Sequence, residues 1–502
     1  MSIGNINNVT RAVTPTPLSQ VASPQPANTP AAAAPSDQVS IGNASSTEAV
    51  APKPQHELDG PVQPLAQPME PKKWTVMLWS CAGNNLYKYM QQDIDEAEKV
   101  GGTEHMNIIV QTDHEPVGGT SKIYELKQDS TPGLTSPVRA DLGTVDMGDH
   151  KKLSEFIQWT MKNYPAEHFA LVISDHGDKS GSCHDEGQDG WITHPEMRQA
   201  LEEAQAQTGK KVDVVGFDCC LMASAENVHE LRNVTDFVVG SEEVEGGAGW
   251  TYDEVVAKPG TRSANRLLSP EILEGANTAM RSRLDFTPAE FAANIVESAK
   301  GHQGDLATMS AFDTAKVGKI ADATKAFGQA LLDSGVPLIE FKKAKQKTQG
   351  FHQNKDLGDF AKRVAAIPGA EEKLVESAKA VQASIQDALV AEQHSTKYPG
   401  ATGMQINLNA TRSAEGEALV SVPVNIDARD AARMDMGKYS DTQWAKDTNW
   451  QAVQDRLAQK VQGFSEDEGF QFPGGLTVDD LLDLAGALLG AALAGGKEVA
   501  AT

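Results

Sequence analysis

The sequence predicts an α/β fold built on a mostly parallel sheet with helices on both faces, followed by a mainly helical C-terminal part. Three observations predict it. Short continuous apolar runs recur between Trp74 and Glu243, as expected of strands buried on both faces. Amphipathic stretches separate several of them, the rhythm of crossover connections. Polar and glycine residues follow the apolar runs, and in such sheets ligands collect at the carboxyl ends of the strands.

The elements follow in order. WTVMLWS (Trp74–Ser80) reads as the first strand, CAGNNL as a turn and LYKYMQQDIDEAEKV as a helix. HMNIIVQTD (His105–Asp113) and KIYEL (Lys122–Leu126) read as strands. HKKLSEFIQWTMKNY is an amphipathic helix that Pro165 ends, and HFALVISDHG (His168–Gly177) is the next strand. HPEMRQALEEAQAQ is a helix with proline near its start, where its missing N–H costs nothing. KKVDVVGFD is a strand, LMASAENVHELRNV a helix, and DFVVGSEE (Asp236–Glu243) a further strand. From about Thr261 to Gly463 the pattern is mainly helical. The exceptions are the extended segments GATGMQINLN (Gly400–Asn409) and ALVSVPVNI (Ala418–Ile426), and a closing helix carries Trp444 and Trp450.

The expected divisions are a Pro/Ala/Ser-rich segment over 1–71, a sheet-bearing core over 72–260, the helical part over 261–463, and an acidic then Gly/Ala/Leu-rich tail over 464–502. The first segment has too little apolar surface to offset its ordering entropy and is expected to be disordered. The tail's apolar run, Leu481–Gly496, is short, rich in Ala and Gly, and interrupted by Asp483, so membrane insertion is not expected. The opening MSIGNINNVTRAV has no basic stretch leading into an apolar one, so a cleaved secretory leader is not expected. Localisation stays open between a non-classical export route and the cytoplasm.

A net charge of −25 excludes a sequence-independent nucleic-acid binder, which needs a basic footprint. It suits a cationic substrate, although acidity also serves solubility. The four cysteines, Cys81, Cys183, Cys219 and Cys220, include no CxxC. They form neither a disulfide framework nor a recognised zinc pattern.

Two of them are adjacent, in VDVVGFDCCLMAS. Strand side chains alternate between faces. Asp218 and Cys220 then point one way and Cys219 the other, so Cys220 is the candidate for chemistry and Cys219 for packing. A thiol becomes a nucleophile with help from a helix start or an imidazole. His176 ends a neighbouring apolar run, and Gly177 after it allows close backbone approach. The N–H groups of Gly177 and Cys220 are candidates for an oxyanion hole.

At these residues the sequence resembles the clostripain (C11-type) family of cysteine peptidases, in the caspase-fold clan. LVISDHG matches the strand that ends in His-Gly, and DVVGFDCCLMAS the strand that ends before the nucleophile, with Cys219 in a small-residue slot. WSCAGNNL, YPAEHFALVISDHG, SEEVEGGAGWTY, YPGATGMQINL and KDTNW resemble further blocks, so the likeness spans about Lys73 to Leu457; Cys81 departs from the usual pattern.

The resemblance implies a caspase-like fold and an endopeptidase that cleaves after Arg or Lys. Cys220 would be the nucleophile and His176 its proton-transfer partner. Asp218 sits at the family's position for the base of the specificity pocket. It also reads as a helix N-terminal carboxylate, and both can hold. Glu242 and Glu243 are further candidates for the pocket wall. Self-cleavage in DKSGSCHDEGQDGWIT is a family habit. Lys179 is the candidate point, with Lys210 and Lys211 as the alternative and no processing as a third outcome. No cofactor is required. Calcium serves some relatives, and Asp185, Glu186 and Asp189 offer oxygen ligands, but their spacing assigns no site. The expected partners are peptides or proteins with a basic residue before the scissile bond. The competing readings are a catalytically silent scaffold of this fold acting as an exported binding protein, and a thiol enzyme that transfers rather than hydrolyses.

Overall fold

A computed structural model describes residues 69–115, 119–247, 249–256, 287–302, 308–352, 354–409 and 437–461. The bulk of the Pro/Ala/Ser-rich start, the segment Ala418–Ile426 and the apolar run Leu481–Gly496 lie outside the described residues.

The chain begins as β1 (Lys72–Ser80), α1 (Tyr87–Val100), β2 (Met106–Asp113), β3 (Ser121–Glu125), β4 (Val138–Gly143), α2 (His150–Asn163) and β5 (Ala166–Ser174). It continues as β6 (Gly177–Asp178), β7 (Gly181–Asp185), β8 (Gly190–Thr193), α3 (His194–Thr208), β9 (Val212–Asp218), α4 (Ala225–Glu230), β10 (Thr235–Gly240), α5 (Tyr252–Val255) and α6 (Pro288–His302). Then come β11 (Thr308–Asp313), α7 (Thr314–Asp333), α8 (Leu338–Lys347), β12 (Gly350–Phe351), β13 (Asn354–Asp356), α9 (Leu357–Ala365) and α10 (Glu372–Ala388). Last are β14 (Leu389–His394), β15 (Gln405–Ile406), α11 (Gln443–Asp447) and α12 (Trp450–Ala458).

Nine strands form the central sheet in the order β14-β11-β10-β9-β5-β1-β2-β3-β4. The inner five, β10-β9-β5-β1-β2, are parallel. Both flanks turn antiparallel, through β3 and β4 on one side and β11 and β14 on the other. The α/β reading therefore holds.

Each inner strand alternates between two cores. Trp74, Val76 and Leu78 of β1 and Val214 of β9 pack with α1, α5 and α6. Met77 and Trp79, with Val215, Phe217 and Cys219, face the other way into a larger core with α2, α3, α4 and α7. Fully burying an aliphatic side chain of this kind contributes about 1.5–3 kcal/mol, so a register slip on any inner strand would be costly. Helix starts are fixed locally. Asp149 accepts from Lys151 N at α2, and Thr193 forms a capping box with Glu196 at α3, each cap contributing about 1 kcal/mol.

Three expectations change. The C-terminal part supplies two strands, β11 and β14, to the main sheet, and only Gln405–Ile406 of the 400–409 segment is a strand. Gly403 at φ +99° ends the extended run before it. The segment after His176, expected to be a loop, is the three-stranded sheet β6-β7-β8, buried along its strands. The helix expected from Leu221 begins only at Ala225, capped by Ser224. Leu221 sits at φ +65°, and Ala223 donates to Ser241 O and accepts from Gln405 N. Residues 221–224 thus bridge between strands instead of joining the helix.

Candidate active site

The strand register brings the carboxyl ends together. Ser80 lies beside Ser174, and Ser174 beside Asp218. Side-chain alternation does the rest. Along β9 the even positions, starting from Val214, face the core under α1 and α6, and the odd ones face the opposite core. Carried past the strand ends, the even positions put Ser174, His176, Asp218 and Cys220 around one cleft of about 360 Å³. The N-terminal part of α1 closes one side with Leu86, Tyr89, Met90 and Asp93, and Glu245, Gly246, Gly247 and Gly249 close the other. Cys219 Sγ instead donates to Ile173 O at 3.5 Å within the opposite core. The adjacent cysteines therefore have different environments, as alternation predicts.

His176 is held by a residue the sequence did not single out. Its Nε2 donates to Asn85 Oδ1 at 2.7 Å. That partner puts the ring proton on Nε2 and leaves Nδ1 unprotonated. Neighbouring Asn84 anchors the same strand end: its amide donates to Cys81 O at 3.1 Å, Asp175 Oδ1 at 2.6 Å and His184 O at 2.6 Å. Asp175 also accepts from His184 N. Both asparagines come from the turn after β1, and that Gly-Asn-Asn turn was their only sequence signal.

Burial, and secondarily His184, hold His176 down at about 4. Burial also pushes the Cys220 thiol up to about 12, with Glu245, Asp218 and Glu243 adding negative charge. The opposing influence is the Glu245 backbone N–H, which donates to Cys220 Sγ at 3.3 Å. At neutral pH the pair rests as thiol and neutral imidazole. The helix-start effect expected at Cys220 is absent, because α4 begins five residues later.

Gly177 packs directly on the cysteine segment. A Cβ there would lie 2.7 Å from both Cys219 Cβ and Cys220 O, so only glycine fits. Asp218 accepts from Trp250 N at 3.2 Å and from the Tyr252 hydroxyl at 2.8 Å. It faces the cleft and does not cap a helix.

Two predicted groups lie elsewhere. Glu242 is fully buried, its carboxyl pushed well above the usual range by burial and by Asp356. Glu243 is also outside the cleft lining; its carboxylate accepts from Val244 N at 2.8 Å. β10 ends at Gly240, and the chain turns before it reaches the cleft, so Glu245 takes the wall position. Its carboxylate accepts from Trp250 Nε1 at 2.9 Å.

Lys179 is 2% exposed, and its carbonyl accepts from His194 Nε2 at 2.8 Å. Lys179 and Ser180 form the turn joining β6 to β7 and are both buried, so this fold does not present the bond between them to a protease. Lys210, the alternative, is exposed. Asp185 uses both oxygens to hold turns, accepting from Met147 N and Gly187 N at 3.0 Å each. Among the described residues, no group of three or more His, Cys, Asp or Glu is placed to hold a metal. None of the described helices is long and apolar enough to cross a membrane.

Replacing Asn85 with alanine frees the His176 ring. The expected result is a fall in kcat of about 10- to 100-fold with KM little changed, and partial recovery in Asn85→Asp, which keeps an acceptor. Steady-state kinetics on a peptide substrate reads this directly.

Comparisons with known proteins bear on the family and the fold. The clostripain family model matches residues 78–451, most of the chain. A curated relative, clostripain of Hathewaya histolytica, is 26% identical over 224 residues, covering 37% of this chain and 41% of the relative. The chain thus matches well under half the length of that relative. Among solved structures, the secreted C11 cysteine protease iotapain of Bacteroides thetaiotaomicron superposes with a TM-score of 0.51 at 14% identity, covering 76% of this chain and all of that one. An inactive zymogen C11 protease of Parabacteroides distasonis gives 0.50 at 17%, covering 76% and 99%. The solved structures show the shared fold, and the family match carries the assignment: with its His-Gly strand, its Asp-Cys-Cys strand and the cleft between them all inside the matched span, the chain belongs to the clostripain family of cysteine peptidases.

Proposed function

We propose that the chain is a cysteine endopeptidase that hydrolyses peptide bonds after Arg or Lys. The observation that carries the reading is the shared cleft. It holds the His176 imidazole and the Cys220 thiol beside four acidic residues, Asp93, Asp175, Asp218 and Glu245. A cleft this acidic favours a cationic side chain, and the family supplies the reaction class.

In the proposed step, the substrate's basic side chain enters toward Asp218. His176 Nδ1 takes the Cys220 thiol proton as sulfur attacks the carbonyl carbon. The oxyanion is received by the N–H groups of Gly177 and Cys220. The imidazolium then returns its proton to the departing amine, leaving a thioester on Cys220. Water, deprotonated by the same imidazole, attacks the thioester and frees the acid product. No cofactor enters this sequence.

Fluorogenic peptides ending in Arg, Lys, Leu or Asp test the reading. Hydrolysis confined to Arg and Lys is expected, with product masses showing addition of water. Preference for the neutral or acidic peptides, or a transfer product, would count against it.

Maturation by self-cleavage stays part of the proposal, and one of the solved neighbours is an inactive zymogen. The expected cut lies outside the β6-β7-β8 sheet. On incubation, the bond after Lys179 should stay intact in every fragment identified by mass spectrometry. Lys179→Met should leave any fragment pattern unchanged. A fragment starting at Ser180 would refute this.

A further inference from the structure

We infer that Asp93 is a specificity-determining residue: together with Asp218 it forms a two-carboxylate seat for the basic side chain of the substrate. The inference rests on the basic-pocket reading above and adds a residue to it.

Position 93 lies on the inward face of α1, with Met90, Ile94 and Ala97. The spacing calls for an apolar residue there, yet an aspartate occupies it at 7% exposure and lines the cleft. Its partner state is unusual. Asp218 has two donors, Trp250 N and the Tyr252 hydroxyl. Among the described residues, no hydrogen-bond donor or cation serves the Asp93 carboxylate; its recorded electrostatic neighbours are acids. Buried carboxylates are ordinarily paired. One left open toward a cleft is suited to a partner that arrives from outside.

Gly249 shows how close the two acids come. It sits at φ +61°, a conformation side chains rarely adopt, and a Cβ there would lie 2.7 Å from Asp93 Oδ2 and 3.0 Å from Asp218 Oδ2. The oxygens are therefore no farther apart than those two distances placed end to end, and both carboxylates border the same open cleft beside Gly249. A guanidinium or ammonium seated there reaches both carboxylates. Either cation presents several N–H donors to them.

The titratable groups facing Asp93 are Asp218, Glu96 and the Tyr252 hydroxyl. Burial, then the charges of Asp218 and Glu96, push the Asp93 carboxyl well above the usual carboxylate range, so the close pair it makes with Asp218 holds a proton at neutral pH. An arriving cation opposes both charge terms and displaces that proton into solvent. Because the free form carries the proton and the occupied form does not, binding tightens as pH rises toward the free-state value. The charge that displaces the proton also offsets part of the negative field that holds the Cys220 thiol up.

The test uses the full chain, an Arg peptide substrate and agmatine as a guanidinium probe. KM and kcat are measured from pH 6 to 9.5 for wild type, Asp93→Asn, Asp93→Ser and Asp218→Asn. Proton release on agmatine binding is read by calorimetry in buffers of different ionisation enthalpy. Wild type should release protons and show KM falling with pH. Asp93→Asn should raise KM about tenfold or more, more than it lowers kcat, flatten the pH dependence of KM and abolish proton release. It should melt no lower than wild type, since a neutral amide of the same shape replaces a carboxyl whose site already holds a proton; Asp93→Ser gives the same readouts if it does not. If Asp93→Asn keeps the wild-type KM, slope and proton release while Asp218→Asn loses the basic preference, the Asp93 inference fails and the basic pocket stands. If wild type shows no basic preference, both fall together.

Discussion

Cys220→Ala loses peptide hydrolysis by a factor on the order of 10³ or more, while Cys219→Ala keeps kcat/KM within a few-fold of wild type. The two sulfurs are one residue apart, so only their environments separate them. Both residues border the cleft, but Cys220 lies on the His176 face, whereas the Cys219 thiol turns away and donates to Ile173 O in the opposite core. Cys219→Ala should cost about 1 kcal/mol of stability as a small core truncation. The same environments set a pH signature. Since burial and the nearby acids push the Cys220 thiol up to about 12, its iodoacetamide reactivity should climb about tenfold per pH unit from neutral pH upward. A pre-formed thiolate would instead give a plateau through neutral pH. With His176 held down at about 4, the base form persists in mild acid. The acid limb of kcat should therefore lie near pH 4, below the range of an ordinary histidine. Peptide kinetics and alkylation rates across pH measure both.

The second large effect is at Asp218. Asp218→Asn keeps an acceptor for Trp250 N–H and the Tyr252 hydroxyl but removes the charge. Kinetics on matched peptides should show kcat/KM for Arg and Lys substrates falling about 10- to 100-fold, chiefly through KM, with peptides of neutral residues at that position unaffected. Equal losses on basic and neutral peptides would mean that Asp218 supports the loop rather than the specificity. The choice of asparagine matters, because alanine would also strand two buried donors.

The inner strands were legible because burial on both faces leaves a continuous apolar signature, as in WTVMLWS and DVVGFD. The candidate dyad was legible for a related reason. Once β9 and β5 are neighbours in a parallel sheet, period-two alternation decides which of two adjacent cysteines lies on the same face as the histidine. The edges were not legible. LVAEQH of β14 is half-exposed and polar, so no apolar run marks it. The polar, glycine-rich segment after His176 reads as a loop, and only its enclosure by the rest of the fold makes it a buried sheet that conceals Lys179. Leu221 at positive φ delays α4 in a way no propensity foretells. Asn85, Asp93 and Glu245 escaped for a common reason: each reaches the cleft from a turn or helix whose placement over the sheet is set by long-range packing. Glu242 and Glu243 were misplaced because a strand end locates residues only to within the turn that follows. At Asp93 a signal did exist, since a carboxylate interrupts the inward stripe of α1.

The most direct test of the account is covalent capture. The full chain is treated with a peptidyl acyloxymethyl ketone ending in Arg, beside its Leu-ended counterpart, and the labelled residue is located by digestion and mass spectrometry. The account predicts one label per chain from the Arg reagent, on Cys220, none from the Leu reagent at the same concentration, and no label on His176→Ala within the same time. Labelling of Cys219, Cys81 or Cys183 instead, or equal labelling by both reagents, would contradict it.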